Sequence, residues 1–159
     1  MFRNDTITSA DITAMLRKQY DGKGHIWFEE LRLSSGFGMD GRIDFFALNV
    51  APSTGNKATA YEVKVTRADF RRDSHKKQRG ARLFCDQFYY IAPVGVIPQD
   101  EVPDWAGLIE VEWKIGRWDK KPYLAASTVV AAPKRDKDAP SWGLVCSLIR
   151  NAKRHGGDL

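Results

Sequence analysis

Two short apolar runs, Arg42–Val50 (RIDFFALNV) and Ala60–Val65 (AYEVKV), constrain this chain more than any other feature. Both have the aromatic and β-branched character of strands with covered faces. Yet the first carries Asp44 in its interior, and the second carries Glu62 and Lys64. Side chains two apart on a strand share a face, so Glu62 and Lys64 point one way while Tyr61, Val63 and Val65 point the other. Asp44 shares its face with Arg42 and Phe46. If the two runs pair, Asp44 and Glu62 lie side by side.

Two carboxylates held together repel, and one keeps its proton unless a cation joins them. A hard divalent cation resolves that conflict. Mg²⁺, with Mn²⁺ as the alternative, accepts one or two carboxylates and completes its shell with water and phosphate oxygen. Lys64 beside such an ion would orient or help deprotonate an attacking water, and its charge would stabilise charge building on phosphorus oxygens. The plainer reading is a structural salt bridge from Asp44 to Arg42 or Lys64. Buried ion pairs stabilise folds poorly, so three charges used that way would be unusual.

The surrounding pattern predicts a mixed α/β architecture in a chain of 159 residues, a length suited to one domain. Thr8-Ser9-Ala10-Asp11 has capping-box form and opens a helix with Ile12, Met15, Leu16 and Tyr20 as its apolar stripe. Strands follow at 25–33, 42–50 and 59–65. Thr66-Arg67-Ala68-Asp69 repeats the capping form and starts a second helix, which the stretch 73–80 breaks into two pieces. Residues 87–93 and 108–113 read as further strands, 114–132 as a hairpin with a returning edge strand, and 140–154 as a last helix. Trp142, Val145, Leu148, Ile149 and Ala152 lie on one face of that helix, its expected apolar face. A helix between the third and fourth strands permits a crossover, so a central mixed sheet flanked by helices is expected.

The net charge of +5 is concentrated in one place. Residues 67–82 hold Arg67, Arg71, Arg72, Lys76, Lys77, Arg79 and Arg82 against Asp69 and Asp73, which equals the whole excess. A polyanionic partner and a solvated helix face both account for such a segment. No apolar run reaches the length of a membrane span, and the polar N-terminus has no signal core. A cytoplasmic protein is the resulting expectation. Cys85 and Cys146 have no metal-ligand spacing and read as two buried free thiols.

The spacing D-x17-E-x-K with strand on both sides, in GRIDFFAL…AYEVKVTRADF, resembles the PD-(D/E)xK nuclease superfamily. Within it the chain is most similar to MmcB-like and phage-encoded small nucleases. The matching elements are Glu30, Arg42-Ile43-Asp44, Glu62 through Phe70, and Cys85-Asp86-Gln87-Phe88-Tyr89, spanning about residues 8–113. The resemblance implies a restriction-endonuclease-like fold and a Mg²⁺-dependent deoxyribonuclease acting in DNA repair, recombination or phage DNA metabolism. Asp44 and Glu62 would bind the metal, with the Val63 carbonyl as a third ligand. Lys64 would be the catalytic lysine and Glu30 an additional acid. One departure is Ile43, which stands where the superfamily often has proline. Arg67, Arg71, Arg72, Lys76, Lys77, Gln78 and Arg79 would meet DNA. The alternatives are a nucleic-acid-binding module without catalysis, and a homodimer or larger DNA-processing assembly that cuts only as a whole.

Other residues carry plainer readings. Glu30 shares a face with Ile26 and Phe28, the face expected to turn inward, although a half-exposed edge strand explains it or its neighbour Glu29. His25, His75 and His155 lack mutual metal spacing, and His75 stands among phosphate-binding candidates. Ser34-Ser35 belong to a glycine-rich loop with no G-x-S-x-G elbow. Trp105, Trp113, Trp118 and Trp142 read mostly as packing residues. Trp118 lies beside Arg117, Lys120 and Lys121, so stacking on a base is its second reading.

Overall fold

The computed structural model describes residues 6–22, 24–33, 41–73 and 78–155, the last three as backbone. Among them the order is α1 (Ser9–Tyr20), β1 (His25–Arg32), β2 (Arg42–Asn49), β3 (Ala58–Val63), α2 (Arg67–Arg71), α3 (Arg79–Leu83), β4 (Gln87–Pro93), β5 (Gly107–Ile115), β6 (Pro122–Val130) and α4 (Trp142–His155). The six strands form one mixed sheet in sequence order. β1, β2 and β3 run antiparallel, β3, β4 and β5 run parallel, and β6 returns antiparallel. The α/β class and the mixed, helix-flanked sheet therefore match the expectation from sequence.

Strand alternation sorts the core into two layers. One sheet face carries Phe45, Ala47, Tyr61, Ile91 and Val111 under Ile12 and Leu16 of α1. The other carries Phe46, Ala58, Ala60, Phe88, Tyr90 and Leu108 against Phe70 of α2, Ala81 of α3 and Leu144 of α4. Helix α1 starts where its capping box places it. The Thr8 hydroxyl accepts from Asp11 N–H at 3.2 Å, and Asp11 accepts from Thr8 N–H at 2.8 Å. At α2 only half the box forms. Thr66 accepts from Asp69 N–H at 3.1 Å, while the Asp69 carboxylate turns to Arg72.

The last helix is rotated partway from its expected face: Leu148 and Ala152 pack against the core as expected, but Trp142 and Ile149 do not. Leu144 and Ser147 are buried, whereas Trp142 is 82% exposed and Ile149 54% exposed. Leu144, Ser147, Leu148 and Asn151 lie at i, i+3, i+4 and i+7, so a polar-containing stripe wins over the more apolar one. The same rotation exposes Cys146, while Cys85 is a buried free thiol, so only one of the two expected buried thiols is buried. Trp118 is also out of the core, at 89% exposed. Among the described residues no helix is long and apolar enough to cross a membrane.

Candidate active site

Strand β3 brings two charges onto the face that its alanines have already buried. Ala58 and Ala60 sit in the core, and Glu62 and Lys64 continue that face at only 4% and 5% exposure. An isolated buried ion is costly, so each must find a partner. Lys64 Nζ donates to Glu62 Oε1 at 2.9 Å and lies 4.0 Å from Asp73 Oδ2.

Asp44 enters from β2. The β2–β3 register, Phe45↔Tyr61 and Phe46↔Ala60, places Asp44 opposite Glu62 when continued by one residue. At that point Asp44 Oδ2 accepts the Val63 N–H at 3.0 Å, so a carboxylate takes the place of a ladder carbonyl. The pairing inferred from sequence thus holds in space. Asp44 is half-buried, which leaves this side of the cluster toward solvent.

Asp73 is the acid that sequence reasoning missed, having counted it only as an offset to neighbouring arginines. Its side chain is 2% exposed. It accepts from Tyr90 Oη at 2.7 Å and from Gln78 Nε2 at 2.9 and 3.0 Å. The available signal was helical spacing. Asp73 lies three residues after Phe70, which packs edge-on against Tyr90 with ring centres 5.3 Å apart. Tyr90 itself pairs with Glu62 across the β3–β4 ladder.

Two buried carboxylates, Glu62 and Asp73, therefore flank the Lys64 ammonium, and Asp44 stands opposite Glu62 on the solvent side. Burial, and next the negative charge of Asp44, pushes the Glu62 carboxyl above its usual range, and Lys64 opposes this. Among the described residues no three His, Cys, Asp or Glu side chains form a ready-made metal cage. A cation here would draw on Asp44, Glu62, backbone oxygen and solvent or substrate oxygen. That sparse oxygen set fits Mg²⁺ or Mn²⁺, which keep several water or phosphate ligands.

The remaining candidates separate. Glu30 falls opposite Asp44 in the β1–β2 register, between Glu29↔Phe45 and Leu31↔Ile43, but its φ is +48° and its side chain is 69% exposed. It reaches Arg42 at 3.5 Å instead of turning inward as expected. The left-handed backbone at Glu30 interrupts the alternation on which that expectation relied. Gln78 is 2% exposed, and its amide is committed to Asp73, which removes it from any surface that meets phosphate. Arg67 pairs with Glu101 at 2.6 Å and Arg72 pairs with Asp69, so both are partly neutralised. Arg71 and Arg79 are exposed. Lys76 and Lys77, with His75 and the Ser34-Ser35 loop, lie outside the described residues. His25 packs edge-on against Tyr20.

Beside the cluster, two residues earlier on β4, a cavity of ≈ 550 Å³ is lined by Arg79, Arg82, Phe88, Trp105 and Arg135. Arg82 lies 4.2 Å above the Trp105 ring, and Trp105 in turn lies 6.0 Å from Tyr90. Neither Arg82 nor Arg135 was singled out from sequence as a site residue.

No protein-family model matches the chain. No curated protein matches it either. Among solved structures it is similar to a protein of unknown function from Silicibacter pomeroyi, with 20% identity and a TM-score of 0.55. The match covers 92% of this chain and 90% of that one, and at this identity it concerns the fold alone.

Proposed function

We propose that the protein is a metal-dependent nuclease of restriction-endonuclease-like architecture that hydrolyses phosphodiester bonds in DNA. The observation that carries this reading is the buried cluster itself: Asp44 opposite Glu62, with Lys64 held between Glu62 and Asp73. The order of the acids and lysine along two paired strands agrees with the PD-(D/E)xK resemblance, and basic helices follow directly.

Asp44 and Glu62, with the Val63 carbonyl, are the groups that would hold Mg²⁺ or Mn²⁺. When bound, the cation supplies Lewis acidity toward the phosphodiester and lowers the pKa of coordinated water. The chain's own residues do the rest. Lys64 donates hydrogen bonds to the attacking water or a phosphate oxygen, and its charge offsets charge that grows on phosphorus oxygens. Asp73 holds the ammonium in place and is itself fixed by Tyr90 and Gln78. Glu30 faces solvent beside Arg42 and is given no catalytic role in this reading. Arg71, Arg79, Lys76 and Lys77 contact phosphates, which gives affinity with a steep salt dependence and no sequence preference.

One observation favours a second reading, a nucleic-acid-binding module without catalysis. Lys64 and Glu62 already satisfy one another at 2.9 Å. Cleavage of single-stranded, duplex and branched DNA with Mg²⁺, Mn²⁺ or EDTA separates the two. The nuclease reading expects metal-dependent cutting that Glu62→Ala and Lys64→Ala each reduce by at least about a hundredfold. DNA binding that persists in EDTA, without cutting under any metal, would transfer the assignment to the binding module.

A further inference from the structure

The β5–β6 hairpin is a second feature that the site does not use. β5 makes its last ladder pair with β4 at Pro93↔Val111, and Glu112–Ile115 run on beside β6 alone. Because β3, β4 and β5 are parallel, this extension leaves the sheet at the end where Glu62 and Lys64 lie. The ladders put Glu110 level with Lys64, so Ile115 stands about 16 Å further along the strand direction. The arm is two strands, or about 10 Å, to the side of β3.

Its tip, Gly116–Lys121, is a built loop. Gly116 N–H donates to the Lys121 carbonyl at 2.8 Å, and Lys120 N–H donates to the Gly116 carbonyl at 3.2 Å. Asp119 Oδ1 accepts from Lys121 N–H at 3.1 Å, and Lys120 adopts φ +55°. A Cβ on Gly116 would fall 2.1 Å from Asp119 Oδ1, so a larger residue there would displace the carboxylate that holds the Lys121 N–H. This organisation presents Trp118 outward at 89% exposure, with the Arg117 guanidinium 5.5 Å from its ring centre. Arg117, Lys120 and Lys121 are exposed and make no ion pair among the described residues, whereas Lys114 is paired with Glu112. Ile115 and Tyr123 at the arm's base are 47% and 49% exposed.

An indole held in solvent on a preorganised basic tip has the two elements of single-strand recognition, a flat stacking face and phosphate-binding cations. We infer that the hairpin is a nucleic-acid arm whose Trp118 stacks on an unpaired base while Arg117, Lys120 and Lys121 hold the adjoining phosphates. The inference rests on DNA being the partner of the cluster, from which the tip stands roughly six nucleotides of stacked strand away. An unpaired base is favoured over duplex because paired bases hide their faces, and cations alone would serve a duplex backbone.

The test is binding in EDTA, where cutting cannot interfere, to a labelled single strand of roughly 20 nucleotides and to the blunt duplex of the same sequence. Trp118→Ala is expected to weaken single-strand binding by about five- to a hundredfold and duplex binding by less than about twofold. Trp118→Phe should recover most of the loss. The salt slope should stay unchanged in both, but fall by about 1.4 in Lys120→Ala/Lys121→Ala. Circular dichroism checks that each variant is folded. Equal single-strand affinity for wild type and Trp118→Ala would overturn the inference, as would equal loss on both DNA forms. Tight Trp118-dependent binding to phosphatidylserine vesicles would assign the tip to a lipid surface, and dimerisation abolished by Trp118→Ala would assign it to a second copy; either result overturns the inference. A wild type that binds the strand through Trp118 but cuts nothing would refute the nuclease and leave the arm. One that binds no DNA refutes both.

Discussion

Replacing Tyr90 by phenylalanine removes one oxygen from the support of the cluster and leaves the ring packing in place. The ring contacts at stake, Phe70 and Phe88 at 5.3 Å and Trp105 at 6.0 Å, do not involve the hydroxyl. The lost interaction is the 2.7 Å bond to Asp73 Oδ2, on a side chain 2% exposed. A hydrogen bond to a buried charged group contributes about 1.5–3 kcal/mol. In a domain of this size that lowers Tm by about 3–12 °C. Burial and the Asp73 carboxylate hold the phenol above its ordinary value of 10.0, so it remains a donor at neutral pH. Since the folded value is raised, this contribution is fully present below pH 10.0 and is lost as pH rises beyond it. Urea unfolding from about pH 6 to 9 should therefore show a constant difference between wild type and Tyr90→Phe. In an Asp73→Asn background the same substitution should cost only about 0.5–1.5 kcal/mol, because the bond becomes neutral. A difference below about 0.5 kcal/mol, or an equal cost in both backgrounds, would refute the idea that Tyr90 organises Asp73.

Further outcomes follow from the same geometry. Glu62→Gln should stabilise the metal-free protein at neutral pH. The raised Glu62 carboxyl contributes stability below its ordinary 4.5 and loses it as pH rises, so the variant's advantage should grow with pH at about 1.4 kcal/mol for each pH unit between the unfolded and folded titrations. Urea midpoints in EDTA that keep a fixed offset across pH would contradict this. Leu144→Ala should cost about 2–5 kcal/mol, whereas Trp142→Ala should stay within about 0.5 kcal/mol, and thermal melts of the pair check which face of α4 is buried. Thr66→Ala should cost about 1 kcal/mol through the α2 cap, with a decrease in cleavage because that helix leads into Asp73.

Strand periodicity carried most of what was readable in advance. Alternation of Glu62 and Lys64 against Tyr61, Val63 and Val65 located the charged face, and Asp44 came opposite Glu62 once β2 and β3 paired. Alternation fails at Glu30, where a positive φ turns the side chain outward, a backbone event that residue type does not announce. Asp73 was hidden by composition. An acid among arginines reads as solvated until Phe70 is seen to turn that side of α2 inward. For α4, hydrophobicity located Leu148 and Ala152 but missed buried Ser147, whose carbonyl accepts from the Asn151 amide at 2.8 Å. Cys146 moved outward with that rotation.

The central claim is that Asp44 and Glu62 form a divalent-cation site. Titrating Mn²⁺ into the wild type, Asp44→Asn and Glu62→Gln by calorimetry or electron paramagnetic resonance tests it without requiring activity. Binding at Asp44 and Glu62, weakened at least about tenfold by either substitution, is the expected result. A wild type that binds no Mn²⁺, or variants that bind it as well as the wild type, would contradict the claim and leave the three charges a self-satisfied structural cluster.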